Sequence, residues 1–250
     1  MAVSIKSARE IELMREAGKR LAHVHQELEA MIAPGISTWE IDAKGEKLIR
    51  DCGCIPNFLH YNGYPASICV SVNDEVVHGI PRKDRYLKEG DIVSLDAGLI
   101  YKGYHSDAAR THAVGKVSTQ AQKLMDVTKQ SFFEGIKMAK EGQHLHDISR
   151  AIEEYVTPYG YGIVRDLVGH GIGTALHEDP QIPNYAQKRR GVRLQAGMTL
   201  AIEPMINAGT WQVRFLRDGW TVVTKDGSLS AHYENTILVT DGEPEILTLY

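Results

Sequence analysis

The two halves of this chain repeat the same order of elements at a fixed distance. A separation of 107 residues recurs in three pairs, which are Gly35 and Gly142, Gly90 and Gly197, and Asp96 and Glu203. The tripeptide His-Gly-Ile also occurs twice, but 92 residues apart, so the intervening loops differ in length. Each half has two helical patterns before its strand-like runs, an order typical of an α+β fold with helices covering one sheet face. We predict one domain built by internal duplication, with halves at approximately residues 1–116 and 117–250.

Capping boxes and breakers define four helical patterns. A Ser or Thr followed three residues later by Glu or Gln opens the first three, at Ser7, Ser37 and Thr119. These three patterns end at Pro34-Gly35, near Gly53 and at Gly142. A shorter fourth pattern around Ile148 is broken at Pro158. The sequence therefore predicts a pair of helices in each half.

Five side chains that can bind metals lie in or beside apolar, strand-like runs. They are Asp96, Asp107, His170, Glu203 and Glu234. A carboxylate inside an apolar strand is costly unless something cationic pairs with it. Four carboxylates and one imidazole suit two divalent metals better than one, and favour Mn, Fe(II) or Co over a thiolate-rich zinc site. Two such ions would lower the pKa of a water held between them, so the residues predict metal-assisted hydrolysis.

Asp96 and Asp107 are predicted to lie on neighbouring strands. Asp96 ends the apolar run that starts at Asp91, and Lys102-Gly103 is a plausible hairpin turn before Asp107. This arrangement places the two carboxylates close enough to chelate one metal, with one of them bridging to a second. The alternative is a pair of solvated aspartates on a hairpin.

The other three candidates come from the second half. His170 lies between Gly169 and Gly171, which let the backbone approach closely or take a positive φ, so we predict a ligand on a tight turn. Glu203 ends a strand before a proline, and Glu234 opens another strand. Taken singly, His170 is equally a loop histidine, and the two glutamates are equally solvated strand-end residues.

Two more histidines and an aromatic cluster complete the candidate site. His78 and His177 are candidates for proton handling or oxyanion stabilisation, against the alternative of surface loop histidines. An aromatic and soft cluster comprises Tyr61, Tyr64, Cys69 and Trp220. These residues either line a pocket for an unbranched apolar side chain or belong to the core. A basic patch, which is either a solvated loop or a contact for RNA phosphate, comprises Lys188, Arg189, Arg190 and Arg193.

Composition limits the class of protein. The 250 residues carry a net charge of -4 and are 43% hydrophobic, which allows a large core and gives no general affinity for nucleic acid. Three cysteines without a C-x-x-C pair favour a reducing cytoplasm over a disulfide framework or zinc ribbon. The first residues lack the apolar core of a signal peptide, and no apolar run is long enough to span a bilayer. We therefore expect a cytoplasmic protein without membrane contacts.

Five motifs together resemble the methionine aminopeptidases, specifically the short bacterial type I form within metallopeptidase family M24. They are residues 73–81 (NDEVVHGIP), Asp96-Ala97-Gly98 with Asp107, residues 169–173 (GHGIG) with His177, Glu203-Pro204, and Glu234-Asn235-Thr236. The resemblance covers nearly the whole chain and implies the pita-bread fold, a curved antiparallel sheet covered by two helix pairs. It also implies removal of the N-terminal methionine from peptides and nascent chains whose second residue is small.

The resemblance implies two divalent metal ions per chain, which could be Co, Mn, Fe(II) or Zn. Asp96 and Asp107 would chelate one ion, and His170 would bind the other. Asp107, Glu203 and Glu234 would complete the pair of sites. A bridging hydroxide would attack the scissile carbonyl with Glu203 as the proton acceptor, while the peptide's α-amine would bind at the Asp96 metal.

The resemblance also assigns the substrate contacts. His78 would contact the scissile amide and His177 the substrate carbonyl. The methionine side-chain pocket would comprise Tyr61, Tyr64, Cys69 and Trp220. Two positions depart from the family, because Leu176 stands where an aromatic residue is frequent and Phe58 where some members have cysteine. These departures concern the details of the pocket and its inhibitors, not the reaction.

Three other functions compete with this interpretation. A prolidase-like Xaa-Pro exopeptidase has the same fold, and a non-catalytic pita-bread protein could act as a binding partner at the ribosome. A di-iron carboxylate oxidase would need Glu-x-x-His pairs on helices, whereas these candidates lie on strands and turns. The family leads us to expect a monomer that acts near the ribosomal exit tunnel. Because Met1 is followed by the small Ala2, we also expect the protein to process its own N terminus.

Overall fold

The computed structural model describes residues 3–250 of the chain. Met1 and Ala2 lie outside the described residues, and the prediction of self-processing lies there with them. Within residues 3–250, no helix is both long enough and apolar enough to cross a membrane.

Four α-helices form in the described part of the chain, two before residue 116 and two after it. They are α1 (Ala8–Glu29), α2 (Thr38–Asp51), α3 (Thr119–Ile136) and α4 (Leu145–Val156). Short 3₁₀ turns follow at Tyr61–Gly63 and Thr157–Tyr159. The predicted pair of helices in each half is therefore confirmed.

The starts of the helices follow the predicted capping chemistry with one correction. Ser7 accepts a hydrogen bond from the backbone N–H of Glu10, whose carboxylate accepts one from the backbone N–H of Ser7 in return. The same exchange begins α2. Such a cap contributes about 1 kcal/mol to helix stability. The predicted start of α3 is one residue late, because the capping side chain is Ser118 and not Thr119.

Fifteen short strands make up the rest of the regular structure in residues 3–250. The first half contributes β1 (Ile55–Pro56), β2 (Ile68–Val72), β3 (Glu75–Val77), β4 (Ile92–Tyr101) and β5 (Tyr104–Ala113). The second half contributes β6 (Gly162–Ile163), β7 (Gly169–Gly171), β8 (Glu178–Ile182), β9 (Thr199–Ile202), β10 (Met205–Asn207), β11 (Val213–Phe215), β12 (Val222–Thr224), β13 (Ser230–His232), β14 (Glu234–Leu238) and β15 (Glu245–Ile246).

One large antiparallel sheet joins the two halves. Its strands follow the order β1-β4-β5-β14-β9-β7-β8, with β2 paired to β4 and β15 paired to β14. β14 is the junction, since it pairs with β5 from the first half and with β9 from the second. Two three-stranded sheets, β13-β10-β6 and β11-β12-β3, complete the strand pairing.

The longest hairpin carries both predicted aspartates. Lys102 and Gly103 connect β4 to β5 with φ values of 49° and 86°, the left-handed conformations that a tight two-residue hairpin turn requires. The predicted turn is confirmed. Asp96, however, lies in the middle of β4 and not at the end of a strand, because β4 continues to Tyr101 and pairs along its length with β5.

Two separate apolar clusters stabilise the helix pairs against the sheet. α1 and α2 bury side chains such as Leu21 and Ile41 against β2 and β4, while α3 and α4 bury Phe132 and Ile152 against strands of the second half. Burial of each such large side chain contributes roughly 1.5–3 kcal/mol. The helices therefore fix the sheet from each half independently, and the strands between them meet at β14.

Contacts between segments that are far apart in the sequence hold α1 and the residues before it against the second half. Gly18 of α1 lies so close to Leu247 that an added Cβ atom would collide with the backbone carbonyl of Leu247. The backbone N–H of Lys6 donates to Gly197 O at 2.9 Å, and its buried ammonium pairs with Glu178 Oε2 at 2.6 Å. The segment before α1 is thus attached to the segment before β9 and to the start of β8.

Candidate active site

The five predicted metal-binding side chains lie on the wall of one cavity of about 230 Å³. Asp96 lies on β4 and Asp107 on β5, His170 lies on β7, Glu234 opens β14, and Glu203 directly follows β9. The first half therefore supplies two of the five residues and the second half supplies three.

Strand pairing explains why three of the carboxylates meet. Ala109 of β5 lies opposite Asp96 on one side and opposite Glu234 on the other. Side chains directly opposite each other share a face of the sheet, and so do side chains two residues apart along a strand. Asp107, two residues before Ala109, therefore points to the face occupied by Asp96 and Glu234.

The same rule brings the remaining pair to this face. His170 of β7 lies opposite Ala201 of β9, and Glu203 follows Ala201 by two residues. β9 lies between β14 and β7, so Glu203 follows an interior strand and not the edge strand that a solvated glutamate would suit. Its side chain is only 13% exposed.

His170 lies in a short strand and not on the predicted tight turn. Neither flanking glycine has a positive φ, but both are needed because neighbouring strands approach closely. A Cβ atom at Gly169 would collide with the carbonyl of Ala201, and one at Gly171 with the carbonyl of Asp179. The prediction of close backbone approach is correct, and the prediction of a turn is wrong.

A backbone contact orients the His170 ring. Its Nδ1–H donates to Gly171 O at 2.8 Å, which leaves Nε2 free to bind a metal. Nε2 lies 3.9 Å from Asp107 Oδ2 and 3.7 Å from Glu203 Oε1. These separations exceed those of hydrogen bonds, but they suit donors that bind one ion, since metal–nitrogen and metal–oxygen distances are about 2.0–2.2 Å.

The buried carboxyl groups of the cluster would be stabilised by cations. Burial raises the pKa of Asp96 to about 7, opposed by a contact with Asp107. Burial also raises the pKa values of Asp107, Glu203 and Glu234 well above their ordinary range, and repulsion from neighbouring carboxylates adds to the effect at these three. Burial lowers the pKa of His170 to about 3. Within residues 3–250, Asp96 Oδ1, Asp107 Oδ1 and Glu234 Oε1 are buried without a hydrogen-bond partner.

Two triads of donor atoms have the spacing that a metal ion requires. Asp107, His170 and Glu234 form one triad, and Asp96, His232 and Glu234 form the other, with the donor atoms of each triad all within 4.8 Å of one another. The buried carboxylates that lack partners and these short separations fit hard or borderline divalent ions. The predicted donor set therefore fits the metal chemistry proposed for it.

Sequence reasoning missed His232. This residue is buried, and its Nε2 lies 3.7 Å from Glu203 Oε2 and 3.8 Å from Glu234 Oε2. The signal was its position two residues before Glu234, which places both side chains on the same face of an extended chain.

His78 and His177 both line the cavity. Burial lowers the pKa of His78 to about 4, so its ring is neutral at physiological pH. His177 lies with its ring centroid 4.3 Å from that of His170, and its Nδ1 is 2.8 Å from the hydroxyl of Tyr61. Both are therefore neighbours of the carboxylate cluster and not isolated surface histidines.

An apolar pocket adjoins the metal-binding wall. The predicted pocket residues Tyr61, Tyr64, Cys69 and Trp220 all line the cavity, together with Phe58, Leu176 and Asn62. Asn62 was not predicted. Cys69 lies opposite Asp96 in the β2–β4 pairing, which places the pocket directly beside the carboxylates. Tyr64 packs edge-on against Trp220 at 5.2 Å and donates its hydroxyl proton to Gly79 O at 2.9 Å, so this wall is fixed.

The predicted basic patch is exposed. Its members Lys188, Arg189 and Arg193 present their side chains to solvent, whereas Arg190 pairs with Asp147 at 2.5 Å. The segment is attached to the start of α4, where the backbone N–H groups of Leu145 and His146 donate to its carbonyls. It lines neither the cavity nor the cluster of carboxylates.

Comparison with known proteins places these features in a family. The family model of metallopeptidase family M24 matches residues 12–241. The methionine aminopeptidase of Clostridium acetobutylicum is 53% identical over 247 residues, which are 99% of each chain. Methionine aminopeptidase 1 of Bacillus subtilis is 51% identical, covering 97% of this chain and 98% of its relative.

Solved structures agree with the sequence relatives. The crystal structure of the methionine aminopeptidase from Thermotoga maritima matches with a TM-score of 0.97 at 46% identity and covers both chains completely. The prolidase of Pyrococcus furiosus matches with a TM-score of 0.78 at 24% identity, over 98% of this chain and 65% of the prolidase, and so shares the fold. These likenesses confirm the predicted α+β pita-bread architecture.

Proposed function

Because this chain belongs to metallopeptidase family M24, and within it to the methionine aminopeptidases, we propose that its carboxylate-lined cavity is the site that removes the N-terminal methionine from peptides and nascent chains. One observation carries this proposal. Four carboxylates and one imidazole, drawn from both halves of the chain, converge on one wall of a cavity whose other walls are aromatic and apolar.

The donor set would serve two divalent ions. Asp96 and Asp107 would hold one ion and His170 the other, with Asp107, Glu203 and Glu234 completing the pair of sites. The ions are Co, Mn, Fe(II) or Zn, all of which accept carboxylate and imidazole donors. When bound, such ions polarise the scissile carbonyl and lower the pKa of the attacking water.

The protein's own side chains handle the proton and orient the peptide. Glu203 accepts the proton of the attacking water, a role supported by its place on the cavity wall beside the other proposed metal donors. His78 contacts the scissile amide, and His177 contacts the substrate carbonyl. The hydroxyl of Tyr61 supports His177 in this role through its contact with Nδ1.

The apolar part of the cavity selects the side chain. Tyr61, Tyr64, Cys69 and Trp220 surround a space of limited volume beside the carboxylates. A long, unbranched and polarisable methionine side chain suits this lining. Ring packing between Tyr64 and Trp220 fixes this lining, and the proposed substrates carry a small second residue after the methionine.

The prolidase-like alternative is not favoured. The curated relatives at 44–53% identity over nearly the full chain are methionine aminopeptidases, whereas the likeness to prolidases is one of fold. The non-catalytic alternative requires the loss of donors, and all five predicted donors lie at one cavity.

We also propose a cellular setting and an origin for the fold. The enzyme acts in the cytoplasm as a monomer, near the ribosomal exit tunnel, and the exposed patch of Lys188, Arg189 and Arg193 supplies the contact with ribosomal RNA phosphate. The halves at residues 1–116 and 117–250 arose by duplication within one domain. The repeated spacing of 107 residues and the helix pair in each half support this origin.

Hydrolysis of Met-Ala-Ser tests the proposed reaction. Metal-stripped protein is assayed before and after anaerobic addition of Mn, Co, Fe(II) or Zn, with Met-Leu-Ser and acetyl-Met-Ala-Ser as controls and an Xaa-Pro dipeptide as the rival substrate. We expect metal-dependent release of methionine from Met-Ala-Ser alone. Release of the first residue from the Xaa-Pro substrate, or no release despite bound metal, would refute the proposal.

Ribosome binding is tested separately by charge reversal. A Lys188→Glu/Arg189→Glu variant leaves the Arg190–Asp147 pair intact, so the fold is retained. We expect this variant to lose co-sedimentation with ribosomes at low salt while retaining its activity on Met-Ala-Ser. Equal co-sedimentation of the variant and the original protein would reject the patch as the contact.

A further inference from the structure

His232 lies directly behind the proposed metal-binding carboxylates. The residue is 1% exposed, and its Nε2 faces Glu203 Oε2 at 3.7 Å and Glu234 Oε2 at 3.8 Å. Considering all side chains of residues 3–250, neither ring nitrogen has a hydrogen-bond partner. A buried polar group without a partner is costly, so its retention here calls for a functional reason.

The backbone fixes where this ring can lie. His232 ends β13 and pairs with Met205 of β10. Its backbone N–H donates to the hydroxyl of Thr111 at 2.8 Å, and that hydroxyl donates to the His232 carbonyl at 2.9 Å. The ring therefore projects from a strand that is held on both sides, and its position beside the glutamates does not depend on a mobile loop.

Glu203 lies between two imidazoles that occupy different positions. Its Oε1 is 3.7 Å from His170 Nε2, and its Oε2 is 3.7 Å from His232 Nε2. His170 lines the catalytic cavity, whereas His232 is absent from that lining among the described residues and instead lines a separate cavity of about 300 Å³ with Arg110 and His112. One oxygen of Glu203 thus faces the metal-binding space, and the other faces a histidine behind it.

This arrangement matches the role of a partner that orients a ligand. Carboxylates that bind metals are themselves hydrogen-bonded, and loss of such an outer partner typically weakens metal binding or activity by about 10–100-fold. The present separation is about half an ångström longer than a hydrogen bond. Rotation of the carboxylate about its soft terminal torsion closes such a gap.

We propose that His232 is a positioning residue, whose Nε2–H donates to Glu203 Oε2 and thereby turns Glu203 Oε1 toward the metal-binding space. This inference deepens the proposed function and rests on it, since it concerns how one donor of the metal centre is oriented. Because Glu234 Oε2 is almost equally close, at 3.8 Å, the same N–H also limits the rotation of the Glu234 carboxylate, a second proposed donor.

Two substitutions separate positioning from direct metal binding. His232→Leu removes the donor and keeps the ring volume nearly filled, while His232→Gln restores an N–H donor on a flexible side chain. Mn²⁺ affinity is measured by isothermal titration calorimetry on metal-stripped protein, and the ligand field by the visible spectrum of the Co²⁺-loaded protein. We expect His232→Leu to bind Mn²⁺ about 10–100-fold more weakly, and His232→Gln to bind within roughly threefold of the original protein with an unchanged Co²⁺ spectrum.

His112→Leu serves as the matched control. It alters a second histidine that lines the cavity of about 300 Å³ but does not face Glu203 or Glu234, and we expect it to leave Mn²⁺ affinity unchanged. Circular dichroism and thermal unfolding verify that each variant is folded. Unchanged affinity in His232→Leu would overturn the proposal, and so would a Co²⁺ spectrum altered in both His232 variants, which would make His232 a direct ligand. If the original protein binds no metal, the proposed function itself fails.

Discussion

The proposed function assigns two chemical tasks to the single side chain of Glu203. One oxygen lies near His170 and the metal-binding space, and the whole carboxyl group is buried enough that its pKa is raised well above its ordinary range. That direction describes the metal-free protein, and divalent cations bound beside Glu203 would favour the charged form that can accept a proton. In the proposed function the metal donor and the base are the same group, so a change at this position should affect both metal binding and turnover.

Glu203→Gln is expected to remove activity while largely preserving the fold. Glutamine keeps the size of the side chain but cannot accept the proton, so turnover of Met-Ala-Ser should fall by about 10²–10⁴-fold. The loss of one ligand charge should also weaken metal binding. Steady-state kinetics and calorimetry measure both effects, with the exposed Glu154→Gln as the control. Unchanged turnover would remove Glu203 from its assigned role.

His78→Ala is expected to lower turnover without removing metal. The ring lines the same cavity as the carboxylates, and because its pKa is lowered to about 4 it is neutral and can donate one hydrogen bond at physiological pH. We expect a turnover loss of about 10–100-fold with metal content retained. His78 has a φ of 58°, a conformation that asparagine tolerates, so His78→Asn controls for backbone strain. Large metal loss in both variants would make His78 a ligand instead.

At the scale of elements, local signals predicted what local chemistry determines. The capping boxes at Ser7 and Ser37 gave correct helix starts because a cap is satisfied within four residues of sequence. The turn at Lys102-Gly103 was equally local. His170 was assigned to a turn because flanking glycines suggest positive φ, yet these glycines serve the close approach of β8 and β9, which no local pattern reveals.

In the candidate site, too, local features could be predicted from the sequence and contacts between distant strands could not. Each of the five donors was identified because a charge in an apolar run is conspicuous in the sequence. Their meeting at Ala109 and Ala201 depends on the pairing of strands from both halves, which the sequence alone did not specify. His232 was missed because histidine in a short strand is not anomalous by composition, and only the three-dimensional structure shows its distance to Glu203.

Lys6 is expected to position the loop that carries His177. Its ammonium pairs with Glu178 while both side chains are largely buried, 4% and 15% exposed. Lys6→Met removes the cation and leaves the carboxylate buried, which should cost about 3–5 kcal/mol at most in the free energy of unfolding. Because Glu178 follows His177 directly, KM for Met-Ala-Ser should also rise. Chemical denaturation and steady-state kinetics measure the two effects.

A double substitution controls for the loss of packing. In Lys6→Met/Glu178→Gln no charge is left buried, so most of the lost stability should return. If the double variant is as unstable as Lys6→Met alone, the ion pair is not the cause, and the contribution of Lys6 is one of packing by its aliphatic chain.

At the scale of the whole molecule, the buried carboxylates couple metal, pH and stability. Burial raises the pKa of Asp96 to about 7 in the folded metal-free protein against an ordinary value of 3.8, and it also raises the pKa values of Asp107, Glu203 and Glu234. Between pH 3.8 and about pH 7, the folded state binds more protons than the unfolded state. The contribution of these groups to stability is therefore present at low pH and is lost as the pH rises.

Metal-free protein is expected to lose stability from this cluster between about pH 4 and pH 7, the window set by Asp96. Saturating Mn²⁺ should offset the loss, because metal replaces the protons, so the metal-induced rise in Tm should be larger at pH 8 than at pH 5. At 100 times Kd the gain is about 2.7 kcal/mol. Thermal unfolding with EDTA or Mn²⁺ at both pH values measures this difference. An equal rise at the two values would contradict the electrostatic account.

The central place of β14 has a consequence for a chain that is still being synthesised. Glu234 opens this strand, and β5 and β9 meet only across it. A growing polypeptide therefore carries no assembled peptidase until nearly every other element has emerged, even though α1 is made first. We therefore expect unfinished copies to be proteolytically silent. If the protein processes its own N terminus, as the sequence predicts, a finished molecule would trim the start of the next one, and maturation would pass from one copy to another.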